Sequence, residues 1–198
     1  MNQAHFPVKN VPDVLYQQND VIVEYVTDRL YNAIESKKLK KLIILSNVFD
    51  LSKYISFPNE HERIPLHEAI INEDLEILTW LSNNYALSSS VNLRDDYGKT
   101  PLHWAIWKGD FKIIKWLYET YDLSPSVNLQ DYEKRTPLYC AIKTRNLEIV
   151  TWLFETYDLY PSINIPNEKG RTPLHLVVIN NNLEMVKFLI EKYSITST

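Results

Sequence analysis

Apolar and polar residues recur along this chain with a fixed period, and each period holds the same two amphipathic segments. The first segment starts at residues 64, 100, 136 and 172, a period of 36, and reads IPLHEAI, TPLHWAI, TPLYCAI and TPLHLVV. The second segment starts at residues 74, 110, 146 and 182 and reads DLEILTWL, DFKIIKWL, NLEIVTWL and NLEMVKFL. Self-similarity of this kind indicates stacked copies of one structural unit.

Weaker copies of the pattern define the limits of the repeats. SVNLRD, SVNLQD and SINIPN keep the same register, and RLYNAI and KLKKLIIL precede the first clear copy without its Thr-Pro start. We therefore expect one degenerate and four clear repeats, at about 28–63, 64–99, 100–135, 136–171 and 172–198. Residues 1–27 are expected to be an irregular or helical lead-in. Pro7 and Pro12 favour an irregular course over about the first 18 residues.

Each period predicts two helices joined by a tight turn. Thr100, Thr136 and Thr172 are typical helix N-caps, and the proline after each one suits the first helical position, where no backbone N–H is needed. The second helix starts with Asp or Asn as its cap. Its apolar positions cover a wide stripe, which is typical of a helix packed between neighbours. The segment that follows is expected to be an extended loop or a short hairpin.

These residues resemble the ankyrin repeat, whose signature begins T-P-L-H-x-A and whose unit is a β-turn with two helices. The resemblance covers residues 28 to about 195 and implies an all-α ankyrin-repeat solenoid of helix-turn-helix units with short hairpin loops. The family's unit usually has 33 residues, and the three extra residues here follow the second helix, around 88–90, 124–126 and 160–162. Tyrosine at residues 85, 121, 157 and 193 replaces the glycine that usually ends that helix.

The composition narrows the class of protein and its compartment. A net charge of -4 and the presence of only three glycines disfavour a generic nucleic-acid binder and sites built on glycine-rich phosphate loops. No apolar run approaches the ~20 residues of a membrane span. The single cysteine, Cys140, cannot form an internal disulfide, which fits a reducing cytoplasm.

The abundance of Asn, Ile, Lys and Tyr is the bias that an AT-rich genome encodes. In this bias and in its small size the chain is similar to ankyrin proteins that intracellular bacteria or viruses deliver into host cells. A host-directed effector that acts in the host-cell cytosol is therefore one hypothesis.

The sequence predicts no catalytic, cofactor-binding or metal-binding residues. His67, His103 and His175 recur at the repeat period, so they lie ~10 Å or more apart along the stack, too far to share a zinc ion. The resemblance implies instead that each histidine bonds the start of its own helix and nearby backbone, and Tyr139 replaces it in one repeat. Cys140 has no matched His and Asp around it that the sequence can show, so we expect an inert thiol.

Two kinds of tryptophan occur along the chain. Trp80, Trp116 and Trp152 follow the period and are expected to belong to the core. Trp104 and Trp107 occur in one repeat only, three residues apart and so on one helical face, which favours contact with a partner. The resemblance places this face, with the hairpin tips, on a concave surface. The predicted partner-binding residues are Trp104, Trp107, Lys108, Tyr97, Asp96, Ile71, Lys143 and Ile179.

The sequence therefore predicts a monomeric, non-enzymatic protein–protein interaction module that serves as an adaptor, inhibitor or targeting unit. Its expected partner is another protein, bound on the concave face without a cofactor. One alternative is a structural spacer, which predicts a polar concave face and which Trp104 and Trp107 oppose. Another is an accessory subunit in which residues 1–27 complete an enzyme site with a partner chain. The sequence has no recognisable nucleophile, base and oxyanion constellation, which argues against enzymatic chemistry.

Overall fold

A computed structural model describes residues 11–157 and 159–194, and these residues form helices, turns and loops but no strand. The first repeat contains α1 (Val11–Glu35) and α2 (Leu39–Val48), followed by one 3-10 turn at Leu51–Lys53. The next three repeats each pair a short helix with a longer one: α3 (Pro65–Ile71) with α4 (Leu75–Asn84), α5 (Pro101–Lys108) with α6 (Phe111–Thr120), and α7 (Pro137–Lys143) with α8 (Leu147–Thr156). A single turn, α9 (Tyr160–Ile163), precedes the last pair, α10 (Pro173–Ile179) and α11 (Leu183–Ser194).

The N-terminal lead-in is helical over its described part. Helix α1 begins at Val11 and continues without interruption to Glu35, so the irregular course expected for the first 18 residues is wrong from Val11 onward. Pro12 is compatible with this helix because it lies in the first turn, where a backbone N–H has no intrahelical acceptor. Residues 1–10, which include Pro7, lie outside the described residues.

The helices begin at the caps that the sequence predicts. The Thr136 hydroxyl accepts a hydrogen bond from the backbone N–H of Tyr139 at 3.2 Å, and the Asp74 carboxylate accepts one from Ile77 at 3.0 Å. In α5 the cap is reciprocal, because the backbone N–H of Thr100 also donates to His103 Nδ1 at 3.3 Å. These bonds satisfy N–H groups that a helix start otherwise leaves free.

The repeats stack in two layers around one continuous core, which runs from Val26 to Leu189. The first helices α3, α5, α7 and α10 pack directly on one another, and each second helix packs on the first helix of its own repeat. Fully buried alanines at residues 69, 105 and 141 allow the first helices to approach closely. The sequence prediction of an all-α solenoid of helix pairs is confirmed.

The periodic tryptophans lie at the outer edge of the core and not within it. Trp80, Trp116 and Trp152 are half-buried, because no third layer of described residues covers the outer side of the second helices. Each indole packs edge to face on the tyrosine that ends its own helix. The ring centroids lie 5.6 Å apart for Trp80–Tyr85, 5.8 Å for Trp116–Tyr121 and 6.0 Å for Trp152–Tyr157. This pairing gives a physical reason for a tyrosine where the family usually has a glycine.

The three extra residues of each period link one repeat to the next. Leu87, Leu123 and Leu159, just before them, are buried anchors. The buried Ser126 hydroxyl donates a hydrogen bond to the side-chain carbonyl of Asn92, one repeat earlier, and Ser162 does the same to Asn128. The longer period thus adds a second line of contact between repeats beside the helices.

Candidate protein-binding surface

We call the surface formed by the first helices and the hairpin tips the inner surface of the stack. One Asn or Asp holds each of its four tips. The side-chain Oδ1 of this residue accepts a hydrogen bond from the backbone N–H four positions later, at 3.1 Å, 2.8 Å, 2.8 Å and 2.9 Å. The residues are Asn59, Asp95, Asp131 and Asn167. The short polar side chain closes the turn in the way that a backbone carbonyl does elsewhere.

Neighbouring tips bond to one another and form a continuous ridge. The backbone N–H of Asp96 donates to the carbonyl of His61 at 3.1 Å, and that of Tyr132 donates to Tyr97 at 3.0 Å. The fourth tip joins the third through Glu168 and Glu133 at 2.9 Å. Since the ridge is fixed by backbone bonds, the side chains on it are held in register with the first helices.

The second side-chain polar atom of each tip Asn or Asp bonds to another side chain. Asp95 Oδ2 accepts a hydrogen bond from Trp104 Nε1 at 2.8 Å, so the indole N–H of Trp104 already has an acceptor within the chain. Asp131 Oδ2 accepts from Arg135 at 2.7 Å. These bonds lock the orientation of the Trp104 ring and of the Arg135 guanidinium without a partner present.

Aromatic rings and ammonium groups meet at the centre of this surface, which we call the tryptophan patch: Tyr97, Lys99, Trp104, Trp107 and Lys143. Lys99 Nζ lies 4.0 Å from the ring centroid of Trp104, 4.9 Å from that of Trp107 and 5.3 Å from that of Tyr97. Lys143 Nζ lies 4.9 Å from the Trp107 centroid. These distances are in the range of cation–π attraction.

Lys99 is buried although it is a lysine at a hairpin tip. Its residue is only 8% exposed, whereas Trp107 is 36% exposed. Burial lowers the pKa of the Lys99 ammonium, and the nearby positive charge of Arg135 lowers this pKa further. The aromatic rings therefore surround a cation that has lost much of its water.

The cations around the patch differ in whether a carboxylate pairs with them. Arg63 lies 3.3 Å from Glu68 and 3.5 Å from Asp95. Arg135 lies 2.7 Å from both Asp131 and Glu133. Among the described residues, no carboxylate oxygen lies within 4.0 Å of Lys99 Nζ or Lys143 Nζ. These two ammonium groups thus form no ion pair within the described chain, although Asp95 and Asp131 attract the Lys99 ammonium from a longer distance.

The structure brings together four of the eight residues that the sequence predicted for this site: Tyr97, Trp104, Trp107 and Lys143. Lys108 is instead held by Glu73 of the preceding repeat at 2.8 Å, and Asp96 lies 3.5 Å from His61 Nδ1. Ile71 and Ile179 end their first helices at the position where Trp107 stands in α5.

The sequence placed Lys99 among the hairpin-tip residues of the concave face but not among the eight predicted partner-binding residues, although Lys99 connects the aromatic residues of the patch. A signal for it exists in the sequence, because the position before each Thr-Pro or Ile-Pro start is basic in all four repeats, as Arg63, Lys99, Arg135 and Arg171. The periodic pattern does not reveal how these residues are paired. Arg63 and Arg135 each have carboxylates within ion-pair distance, whereas Lys99 has none among the described residues.

An acidic groove of about 610 Å³ adjoins the patch on its N-terminal side. Its lining includes four carboxylates, with Arg63 as the cation that faces the patch: Asp28, Glu35, Glu60 and Glu68. Four carboxylates thus line the surface beside α1 and α3, whereas Lys99 and Lys143 beside α5 and α7 have no carboxylate within 4.0 Å among the described residues.

Each buried histidine links its helix to the hairpin tip that follows. His103 Nδ1 accepts from the backbone N–H of Thr100, so Nε2 carries the proton that is donated to the carbonyl of Arg135 at 3.1 Å. His67 makes the same link to the carbonyl of Lys99 at 3.2 Å. Burial lowers the pKa of both histidines to about 4, so both are neutral at pH 7.

Metal and thiol chemistry find no support in the described part of the chain. No group of three His, Cys, Asp or Glu residues is arranged there to hold a metal ion. Cys140 is buried, and this burial raises the pKa of its thiol to about 12. The thiol is therefore protonated at neutral pH, and a protonated thiol is a poor nucleophile.

The comparisons with known proteins agree with the geometry. The family model described as Ankyrin repeats (3 copies) matches residues 30–131 and again residues 121–198. No curated protein matches the sequence. Within residues 11–157 and 159–194, no helix is long and apolar enough to cross a membrane. Because the matched segments cover most of its length, the chain belongs to the ankyrin-repeat family, whose members are generally protein–protein interaction modules.

Proposed function

We propose that this protein is a non-enzymatic adaptor, inhibitor or targeting unit that binds another protein on its concave face. This face is formed by the first helices α3, α5, α7 and α10 and by the hairpin tips. The observation that carries the proposal is the tryptophan patch, which the repeat itself does not need. Trp107 is 36% exposed, and its equivalents in the other repeats are Ile71, Lys143 and Ile179.

The patch has the properties of a binding hot spot. Tryptophan and tyrosine are enriched among residues that dominate binding energy, and rigid residues lose little conformational entropy on binding. Trp104 is already fixed by its bond to Asp95, and Trp107 lies next to the ammonium groups of Lys99 and Lys143. A structural spacer would have no use for an exposed indole at this point.

The test is a capture experiment with the full chain as bait, followed by affinity measurements on the protein it retains. Trp107→Ala is expected to weaken binding by about 2 kcal/mol or more, as truncation of a central hot spot does. Tyr118→Ala, which removes an exposed aromatic from α6 on the outer layer, is the matched control. Equal affinity of the Trp107 variant and the unmodified chain would refute the proposal, provided that both melt at the same temperature.

We further propose that the protein acts as a monomer in a reducing cytoplasm, and in the cytosol of a host cell if it is a delivered effector. The buried, unpaired Cys140 supports a reducing compartment. The effector hypothesis rests on the amino-acid bias of the chain. Fractionation of infected cells tests it, since detection of the protein only inside the producing organism would argue against delivery.

A further inference from the structure

The tryptophan patch contains two ammonium groups that form no ion pair within the described chain. The two cations beside it, Arg63 and Arg135, each have two carboxylates within 3.5 Å. Lys99 and Lys143 have none within 4.0 Å among the described residues. Burying an ammonium group without a counter-charge is unfavourable, and cation–π contacts offset only part of that loss.

The two ammonium groups share one aromatic neighbour. Each lies 4.9 Å from the ring centroid of Trp107, so both border the same exposed indole. A negatively charged group that lies beside Trp107 would therefore be attracted by both cations. The same group would lie beside an apolar surface, because the Trp107 residue is 36% exposed.

We infer that the tryptophan patch binds a linear segment of a partner protein through an Asp or Glu carboxylate held by Lys99 and Lys143, with an adjacent apolar side chain on Trp107. This inference rests on the proposed function, because it concerns the same surface and names the chemistry of the partner. The occupant is an acidic peptide segment. Charge complementarity selects it, since the patch offers two ammonium donors that have no carboxylate within 4.0 Å among the described residues.

The charge distribution along the surface also limits how far the acidic stretch extends. The groove lined by Asp28, Glu35, Glu60 and Glu68 lies on the N-terminal side of the patch and would repel further acidic residues. The segment is therefore acidic where it lies over α5 and α7 and neutral or basic where it continues towards α1. This polarity gives the bound segment one preferred direction.

The protonation of Lys99 is consistent with this assignment. Burial and Arg135 lower its pKa in the free protein. A bound carboxylate favours the charged form, so binding takes up a proton wherever Lys99 is partly deprotonated. The affinity for acidic peptides is thus constant below the pKa of Lys99 in the free protein and falls as the pH rises through it.

The experiment is a selection from a random library of peptides about twelve residues long, displayed against the immobilised full chain. We expect enrichment of Asp or Glu next to an aromatic or aliphatic residue. Synthetic copies of the enriched peptides are then titrated against variants of the chain. Lys99→Met and Lys143→Met are each expected to lower the affinity about tenfold, and added salt is expected to weaken binding.

Lys115→Met is the matched control. Lys115 Nζ lies 4.7 Å from the ring centroid of Phe111 on the outer layer, so this variant removes an equivalent cation–π pair far from the patch. Its affinity for the enriched peptides is expected to equal that of the unmodified chain. Melting curves of all three lysine variants show whether each remains folded. Lys143 is exposed, whereas Lys99 is buried, so Lys143→Met tests the charge without disturbing the core.

The outcomes separate the inference from the proposed function. Enriched peptides without an acidic residue, whose binding is lost with Trp107→Ala, would overturn the inference and leave the concave-face proposal intact. Acidic peptides that bind equally to the Trp107 and lysine variants would overturn both. A library that yields no binder would overturn the inference, which requires a linear segment, and the capture experiment would still decide the proposed function.

Discussion

Asn167 donates a hydrogen bond from its side-chain amide to the hydroxyl of Tyr139 across 3.0 Å, at the point where the other repeats use a histidine. His67 and His103 reach a backbone carbonyl of the next tip, at 3.2 Å and 3.1 Å. The longer tyrosine reaches the tip side chain instead. Both members of the pair are buried, so the contact joins α7 to the fourth hairpin tip out of water.

Removal of the Tyr139 hydroxyl is expected to weaken this junction. Tyr139→Phe leaves the buried amide of Asn167 with an unsatisfied N–H, which costs about 1 to 2 kcal/mol. The measurement is the urea midpoint at constant m-value. Tyr132→Phe is the control, because that ring is 61% exposed at a neighbouring tip. Identical midpoints for the two variants would contradict the role assigned to the pair.

The stability of the fold is expected to fall on mild acidification. His67 and His103 have a folded-state pKa of about 4, because of burial, whereas an unfolded histidine titrates near 6.5. The unfolded state therefore binds more protons in this window. The stabilisation is complete above pH 6.5 and is lost as the pH falls towards 4, by roughly 3 kcal/mol for each histidine.

Urea melts between pH 6.5 and 5 test this linkage, since most carboxylates stay ionised there. The pH slope is expected to rise from about one proton at pH 6.5 to nearly two at pH 5, and His103→Gln is expected to halve it. His175→Gln is the comparison variant, because His175 is exposed in the last repeat. A slope that does not change with His103→Gln would argue against a neutral, buried His103.

The glycine at the second tip has a steric role that the glycine at the fourth tip lacks. Both have left-handed backbones, with φ of 72° at Gly98 and 69° at Gly170. A Cβ on Gly98 would lie 2.7 Å from the backbone nitrogen of Tyr132, whereas one on Gly170 would meet nothing within 4 Å. Tyr132 donates the bond that joins the second and third tips.

Gly98→Ala is therefore expected to destabilise the protein more than Gly170→Ala. The left-handed conformation alone costs an alanine about 1 to 2 kcal/mol, and both variants share that cost. Displacement of the Tyr132 backbone adds roughly a further 1 to 3 kcal/mol for Gly98. Chemical denaturation of the two variants measures the difference, and an equal loss would show that the tips can separate freely.

The buried ammonium of Lys99 is expected to reduce the stability of the free protein. Lys99→Met keeps a chain of similar length and removes the charge, so the urea midpoint at pH 7 is expected to rise. A lysine whose pKa is lowered on folding destabilises the folded state while it is charged. The difference between the two proteins is expected to shrink as the pH rises through the folded-state pKa. A lower midpoint for the Met variant at pH 7 would indicate that the ammonium is well compensated.

Much of the architecture could be predicted from the sequence because its causes are local or lie between adjacent repeats. The Thr-Pro starts at Thr100 and Thr136 define helix ends through bonds within three residues. The 36-residue period requires each unit to pack on a copy of itself, which leads to a stack. The three-residue spacing of Trp104 and Trp107 places both on one helical face, whatever the rest of the chain does.

The tertiary structure alone decided which charges and rings meet. The sequence prediction counted Lys108 among the partner-binding residues, yet Glu73 of the preceding repeat forms an ion pair with it at 2.8 Å. Trp116 shares the period of the core residues but lies at the outer edge of the core, because no other layer covers that side of α6 within the part of the chain that the structure describes. Lys99 is a polar tip residue in the sequence and a desolvated cation in the fold. A repeat pattern encodes backbone geometry and nearest-neighbour packing, whereas desolvation and ion pairing depend on side chains from several repeats that converge only when the stack is complete.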